Sequence, residues 1–202
     1  MTEHGYNKIH SKNMIGEITL ITGPMFAGKT SELLRQLKVH QDAERTCVLI
    51  KHSSDRRYSV NSEVVTHDGI TAQAIECSTL NGMTKEEYML CLRSHVIGID
   101  EGQFFDDLAD FCDKMADHFK SVIVAGLCNT HDRKGFKPVM ELFPSCENIL
   151  RLRAVCIKCS NPADFTFRDA NSKSTTLVGG EGEYRALCRN CHIFETNRAT
   201  NQ

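Results

Sequence analysis

The sequence predicts an α/β fold with a mostly parallel sheet, followed by a small β-rich domain that holds a metal ion. Three observations support this prediction. Short apolar runs alternate with helical patterns over the first 150 of the 202 residues. A glycine-rich loop follows the first apolar run, where it connects a strand to a helix. Two Cys-x-x-Cys pairs lie in the last quarter of the chain.

The predicted strands of the sheet are short and continuously apolar, which is typical of strands buried on both faces of a parallel sheet. They cover residues 18–22, 47–50, 96–99 and 122–125. Between them, apolar side chains recur at helical spacing and predict amphipathic helices. One stripe comprises Leu33, Leu34 and Leu37, and a second comprises Leu108, Phe111, Cys112, Met115 and Phe119. This alternation indicates α/β architecture with right-handed crossovers.

The pattern changes after residue 150. Strand-like segments now lie between the cysteine pairs, at residues 163–168, 175–178 and 184–187, and no helix of useful length is visible there. We therefore predict four parts in the chain. They are a disordered leader (1–14), an α/β domain (15–153), a metal-binding domain (154–192) and a flexible tail (193–202).

The charge balance restricts the partners of the protein. A formal net charge of −2 argues against the extended basic face that duplex DNA or RNA requires. No apolar run approaches the ~20 residues of a membrane-spanning helix. Residues 1–14 lack the apolar segment of a secretory signal. The sequence thus predicts a cytoplasmic protein with no nucleic-acid partner and no membrane partner.

Residues 23–30, Gly-Pro-Met-Phe-Ala-Gly-Lys-Thr, match the phosphate-binding pattern G-x-x-x-x-G-K-[ST]. In such a loop, glycines allow backbone N–H groups to point at the phosphates, and the helix that follows adds a favourable dipole. Lys29 would reach the β- and γ-phosphates, and the Thr30 hydroxyl would bind Mg²⁺. With a strand before it and a helix after it, the motif predicts a RecA-like P-loop domain that binds Mg-ATP.

Asp100 and Glu101 end the apolar run at residues 96–99. An acidic residue that ends a buried strand beside a P-loop commonly holds the magnesium ion, and Asp100 suits this role. Glu101 lies one residue further out, where it could accept a proton from the attacking nucleophile. The pair does not reveal the acceptor. Water, as in an ATPase, and a substrate hydroxyl, as in a kinase, both remain open.

The two cysteine pairs are Cys156 with Cys159 and Cys188 with Cys191, and 28 residues separate them. Two pairs can supply the four thiolates of a tetrahedral zinc site, and a closed set of four leaves no position for a catalytic water. The predicted zinc is therefore structural. Redox Cys-x-x-Cys motifs are the competing interpretation. His192 adjoins the last cysteine and is expected to be a neighbour of the site rather than a ligand.

Taken together, these motifs resemble those of the zinc-containing type II thymidine kinases. The resemblance rests on residues 23–33 (Gly-Pro-Met-Phe-Ala-Gly-Lys-Thr-Ser-Glu-Leu), 55–58 (Asp-Arg-Arg-Tyr) and 99–105 (Ile-Asp-Glu-Gly-Gln-Phe-Phe). It also rests on residues 154–159 (Ala-Val-Cys-Ile-Lys-Cys), on the Val-Gly-Gly run ahead of Tyr184, and on residues 188–191 (Cys-Arg-Asn-Cys). The match extends from about Gly16 to Cys191.

The resemblance implies transfer of the ATP γ-phosphate to the 5′-hydroxyl of thymidine, which makes thymidine monophosphate by nucleotide salvage for DNA synthesis. It implies that Glu101 is the general base. Residues 175–179 would form a lasso loop whose backbone, together with Tyr184, holds the edge of the thymine base. Met25 and Phe104 would line the base pocket. The family also implies a homotetramer.

The sequence and the resemblance together give a full set of candidate site residues. The predicted ATP-binding residues are Gly23, Pro24, Met25, Phe26, Ala27, Gly28, Lys29, Thr30, Asp55, Arg56, Arg57, Asp100 and Gln103. The predicted thymidine-binding residues are Met25, Phe104, His131, Thr175, Thr176, Leu177, Val178, Gly179 and Tyr184. Cys156, Cys159, Cys188 and Cys191 would bind zinc, and Thr30 with Asp100 would bind magnesium.

One segment departs from the family pattern. Where animal and poxvirus members have Leu-Asp-Gly-Thr-Phe, this chain has Leu-Cys-Asn-Thr-His at residues 127–131. His131 thus replaces an aromatic side chain that contacts the substrate in the family. An imidazole can still stack on a base, but it is smaller and acquires a charge in mild acid.

Two other classes of protein share some of these motifs. A nucleic-acid-stimulated ATPase can also combine a P-loop, an Asp-Glu pair and a zinc ribbon, although the charge balance argues against it. ATP turnover that depends on a nucleoside rather than on DNA would discriminate the two. A non-catalytic nucleotide-binding relative is disfavoured because Lys29, Thr30, Asp100 and Glu101 are all present.

Overall fold

The structure is a computed structural model that describes residues 15–54, 63–65, 71–168 and 184–200. In chain order its helices and strands are β1 (Glu17–Thr22), α1 (Lys29–Asp42), β2 (Cys47–His52), β3 (Glu63–Val65), β4 (Thr71–Gln73), β5 (Ile75–Cys77), α2 (Lys85–Arg93), β6 (Val96–Asp100), α3 (Leu108–Asp117), β7 (Ser121–Gly126), α4 (Lys137–Leu142), β8 (Asn148–Arg151), β9 (Ala154–Val155), β10 (Pro162–Ala163), β11 (Phe165–Arg168), β12 (Tyr184–Leu187) and α5 (Arg189–Thr200). Two 3₁₀ turns lie at Gly102–Phe104 and Phe143–Ser145.

The main sheet has six strands in the order β5-β2-β6-β7-β1-β8. Every neighbouring pair in it is parallel, which confirms the predicted α/β class. Each of the four strands predicted from apolar runs is present. Strand β7 lies between β1, which leads into the P-loop, and β6, which ends at Asp100. Because all strands run the same way, their carboxyl ends meet at one edge of the sheet.

Helices cover both faces of the sheet, as the continuous apolar strands require. On one face, Leu33 and Leu37 of α1 pack against the sheet in one cluster of buried side chains. On the other face, α3 and α4 pack in a second cluster that includes Phe111 and Leu142. Gly98 explains how close α1 comes: a Cβ atom there would lie 2.8 Å from the Leu37 Cδ1 atom. None of the helices in the described part of the chain has the length and apolar composition that crossing a bilayer demands.

The predicted apolar stripe of the second helix extends past the end of that helix. Helix α3 ends at Asp117, and Phe119, which the stripe included, lies beyond it with 63% of its surface exposed. Its φ of 59° is left-handed, and its N–H group donates to the Ala116 carbonyl. The chain turns here to enter β7, and this turn points the side chain away from the core.

The C-terminal module consists of two antiparallel strand pairs, β9 with β10 and β11 with β12, and then α5. This helix corrects the expectation that no helix of useful length follows residue 150. The buried side of α5 carries polar groups, His192 and Glu195, so it lacks the apolar stripe by which helices are detected. The Glu195 carboxylate forms ion pairs with Lys158 at 3.1 Å and Arg185 at 3.8 Å, and these hold α5 against the module. The predicted domain boundaries stay predictions.

We expect the substitution Leu33→Ala to lower the free energy of unfolding by about 2–5 kcal/mol, because Leu33 is fully buried between α1 and the sheet. Val39→Ala on the same helix is the matched control, since Val39 is 55% exposed and its truncation should change stability by about 0.5 kcal/mol or less. Denaturant unfolding followed by circular dichroism measures both. Equal losses in the two variants would contradict the assigned packing of α1.

Candidate active site and metal centre

The P-loop is built on two glycines with left-handed backbone angles. Gly28 caps the N-terminus of α1 with φ 77°, which an L side chain rarely adopts. Gly23 has φ 147°, and a Cβ atom there would lie 2.4 Å from the Leu152 carbonyl oxygen. Lys29 is buried at the start of α1, and its Nζ atom donates to the Pro24 carbonyl oxygen at 2.8 Å. The loop therefore has the curled path that the motif predicts, and Lys29 lies buried where the loop ends.

Thr30 and Asp100 meet at the carboxyl edge of the sheet. The Thr30 hydroxyl donates to the Asp100 carboxylate, and its Oγ1 atom is 3.1 Å from each of the two oxygens. Asp100 is buried, with only 3% of its surface exposed. Adjacent ligands of an octahedral Mg²⁺ are roughly 3 Å apart at metal–oxygen distances of ~2.1 Å. The spacing of these oxygens therefore suits a bound magnesium ion.

Glu101 has an unusual backbone conformation directly after β6. Its φ of 52° and ψ of 44° are left-handed, a conformation that strains a residue with a side chain and is often found at functional sites. The buried amide of Gln103 links this carboxylate to the residue that follows strand β7. Its Nε2 atom donates to Glu101, and its Oε1 atom accepts from the Leu127 N–H group at 2.9 Å. Gly126 leaves room for this side chain, since a Cβ atom there would lie 3.1 Å from Gln103 Oε1.

Sequence reasoning missed Lys51, which is 2% exposed and lies at the carboxyl end of β2. It is the register partner of Asp100 on β6, and its ammonium group is 3.7 Å from the Glu76 carboxylate. Lys51 thus adds a buried positive charge beside the strand end that carries Asp100. A charged residue that follows the apolar run at residues 47–50 was the available signal, and it is the same signal that identified Asp100.

The P-loop is joined to the C-terminal module through Met25 and Phe26. The Met25 N–H group donates to the Thr166 hydroxyl of β11 at 3.0 Å, in a buried position. Phe26 has φ 65° and packs against the apolar cluster of the module. Its ring also lines a cleft of 260 Å³ that Tyr184 of β12 borders. Thr166 was not predicted, because a lone threonine in a strand carries no distinctive signal.

The four predicted zinc ligands come together. Their sulfur atoms all lie within 4.8 Å of one another, and Cys159 Sγ is 3.6 Å from Cys188 Sγ. Sulfurs around a tetrahedral zinc are about 3.8 Å apart at Zn–S distances of ~2.3 Å. The cluster therefore fits the closed tetrahedral site that the sequence predicts.

The four thiols influence one another's protonation. Burial acts to raise the pKa of Cys156, but backbone N–H groups, first among them that of Cys188, lower it to about 6. Hydrogen bonds with the sulfurs of Cys159 and Cys188 raise the pKa of Cys191 to about 12. Four thiolates cannot coexist at this spacing unless a metal ion compensates their charge.

His192 follows the last ligand and is 4% exposed, on the inner side of α5. Its Nε2 atom is 3.2 Å from the carbonyl oxygen of His131. Burial lowers the pKa of His192, so its imidazole is neutral near pH 7. His192 is not one of the four clustered residues and lies next to them in the chain, as the sequence predicted.

The remaining candidate residues lie on different segments of the chain. The ring of Phe104 lies 5.6 Å from that of His52 at the end of β2, and Tyr184 is buried at the cleft described above. His131 is joined to the C-terminal module through its carbonyl group. The predicted residues Asp55, Arg56 and Arg57 and the lasso at residues 175–179 lie outside the described part of the chain.

Comparisons of the sequence with known families and relatives agree on one family. A family model described as thymidine kinase matches residues 16–192. The cytosolic thymidine kinase of Gallus gallus is 41% identical over 178 residues, which are 88% of this chain and 77% of the relative. The thymidine kinase of Yaba monkey tumor virus is 42% identical over 182 residues, covering 90% of this chain and 97% of the relative. Thymidine kinase 1 of Dictyostelium discoideum is 42% identical over 185 residues, covering 90% of this chain and 80% of the relative.

We expect purified protein to contain one equivalent of zinc per chain, and Cys188→Ser to lose most of it, because three thiolates bind zinc less tightly than four. Cys146→Ser is the matched control. Burial raises the pKa of the Cys146 thiol to about 11, and this residue lies outside the cluster. Elemental analysis combined with thiol titration measures both variants. Full zinc content in Cys188→Ser, or four freely reactive thiols in the unmodified protein, would contradict the assignment.

Proposed function

The chain belongs to the thymidine kinase family, and on that premise we propose that it transfers the γ-phosphate of ATP to the 5′-hydroxyl of thymidine. The observation that carries this proposal is the contact between Thr30 and Asp100, with Glu101 one residue further along the chain. It joins the end of the P-loop to an acidic strand end at one edge of the sheet. Phosphoryl transfer needs this kind of positioning more than it needs covalent chemistry.

The P-loop supplies the phosphate side of the reaction. We assign the binding of the ATP phosphates to the backbone N–H groups of residues 26–30 and to Lys29, which would exchange its bond with Pro24 for the β- and γ-phosphates. Thr30 and Asp100 are the assigned ligands of Mg²⁺. This ion, when bound, would neutralise charge on the phosphate oxygens.

Glu101 is assigned as the general base. The thymidine 5′-oxygen forms a bond to the γ-phosphorus, while the bond from that phosphorus to the β–γ bridging oxygen breaks and ADP leaves. The hydroxyl proton passes to the Glu101 carboxylate, which needs only hydrogen-bond reach of the nucleophile. The bond from Gln103 supports this role because it fixes the direction of the carboxylate. Both ends of the Gln103 amide have protein partners in this structure. The ATP-binding role of Gln103 stays a prediction.

The nucleoside side of the proposal rests mainly on family membership. Met25, Phe104, His131 and Tyr184 are assigned to the base pocket together with the loop at residues 175–179. Burial of Met25 and Tyr184 supports a pocket from which water is excluded, and this limits wasteful hydrolysis of ATP.

Location and assembly are extended from the relatives. The chicken relative is named a cytosolic enzyme, and we propose the same location here. We further propose a homotetramer, a structural zinc ion, and no nucleic-acid or membrane partner. Sedimentation of the purified protein measures the assembly.

We expect Glu101→Gln to lower kcat for thymidine phosphorylation by ~10²–10⁴-fold, because an amide cannot accept the hydroxyl proton. The affinity for ATP should change little, since the P-loop is untouched. Glu141→Gln on α4 is the matched control, because Glu141 is exposed in an ion pair with Lys137 and should not affect turnover. A coupled ADP-release assay with nucleotide-binding titrations measures both. Retention of most turnover in Glu101→Gln would exclude this residue as the base.

We expect the unmodified enzyme to phosphorylate thymidine and to discriminate against deoxycytidine by at least ~10²-fold in kcat/KM. Deoxycytidine presents a donor where thymidine presents an acceptor at position 4, so buried polar groups of the pocket would go unpaired. A radiolabelled phosphate-transfer assay across the common deoxynucleosides measures this. Comparable turnover of both nucleosides would refute recognition by the edge of the base. ATP hydrolysis that responds to DNA instead of a nucleoside would refute the kinase proposal.

A further inference from the structure

His192 occupies a buried position between the metal-binding module and the segment that contains His131. Its imidazole ring makes edge contacts with Phe165 and Phe167 of β11, with ring centroids 5.7 and 5.5 Å away. Its Nε2 atom is 3.2 Å from the His131 carbonyl oxygen. A carbonyl can only accept a hydrogen bond, so Nε2 must carry the proton and donate it.

The acceptor belongs to a compact turn. The Thr130 N–H group donates to the Lys134 carbonyl at 2.8 Å, and Asn129 pairs with Gly135 in an antiparallel bridge. A turn held together in this way moves as one unit. A bond to the His131 carbonyl therefore fixes the orientation of the whole turn relative to the module, including the His131 side chain.

The same strand that flanks His192 also contacts the P-loop. Thr166 lies between Phe165 and Phe167 in β11, and its hydroxyl accepts the Met25 N–H group at 3.0 Å. Strand β11 therefore contacts Met25 directly and contacts the His131 turn through His192. Met25 and His131 are two of the residues assigned to the base pocket.

We propose that His192 is a positioning residue for nucleoside binding, which acts by holding the His131 turn through the hydrogen bond from Nε2. This inference rests on the proposed function, because it requires His131 to lie at the nucleoside. In this proposal His192 does not touch the nucleoside or the reacting atoms. Its role is to restrict the conformations of His131, which contacts the nucleoside.

The test compares His192→Gln with His192→Asn. The amide nitrogen of glutamine can reach the place of Nε2 and keep the bond, whereas the shorter asparagine reaches only the place of Nδ1 and loses it. We expect His192→Asn to raise the KM for thymidine by roughly 5- to 30-fold, the effect of one buried acceptor left without its donor. We expect kcat, the KM for ATP and the zinc content to stay unchanged. His192→Gln should retain a KM close to that of the unmodified enzyme.

Equal KM values for thymidine in both variants, with zinc retained, would overturn the proposal. So would an equal loss of zinc and activity in both, since that outcome assigns His192 a purely structural role. If asparagine prevents folding, amide hydrogen exchange of residues 129–135 in His192→Met and in the unmodified enzyme decides the question, because methionine fills similar space but has no donor. Deprotection of the turn with zinc retained supports the proposal, and unchanged protection contradicts it. Failure of the unmodified enzyme to phosphorylate thymidine would instead refute the proposed function, while the exchange measurement would still report on the turn.

Discussion

The hydrogen bond between the Thr30 hydroxyl and the Asp100 carboxylate joins two segments that are 70 residues apart in the chain. It can form only because a parallel sheet delivers the carboxyl ends of all its strands to one edge. Strand β7 lies between the two strands concerned, so the contact is made above the sheet rather than between neighbours. Two further buried polar groups lie near this edge, Lys51 towards the end of β2 and the amide of Gln103 after β6. The helices packed on both faces of the sheet hold these strand ends in place.

The C-terminal module has only a small apolar core of its own. Its apolar cluster includes Cys156 among its buried members. A core of this size gives little stability on its own, so a metal that tied both cysteine pairs together would contribute much of the folding free energy. The module in turn contacts the P-loop through Thr166 and the His131 turn through His192. Loss of such a metal would therefore disturb the P-loop and the His131 turn through these two contacts.

The sequence predicted the parts of the fold that depend on regular patterns. Continuous apolar runs identified β1, β2, β6 and β7, and the spacing of loop residues identified the P-loop and the four sulfurs. It failed where position depends on contacts between distant segments. Helix α5 was missed because its inner side is polar, and Thr166 has no local signal that distinguishes it from ordinary residues. His192 was placed beside the cysteine cluster, but nothing in the sequence indicated its hydrogen bond to His131. Lys51 did have such a signal, a charge at the end of an apolar strand. Predictions that fall on residues 55–57 and 175–179 stay predictions.

The bond from Met25 to Thr166 has a consequence for the chemistry of the phosphate-binding loop. A backbone N–H group that donates to a threonine hydroxyl cannot donate fully to a phosphate oxygen at the same time. We therefore assign the phosphates to the amides that follow Met25, while the Met25 amide is directed to the C-terminal module. On this assignment, the loop would bind an anion along one part of its length, and it contacts the C-terminal module along another.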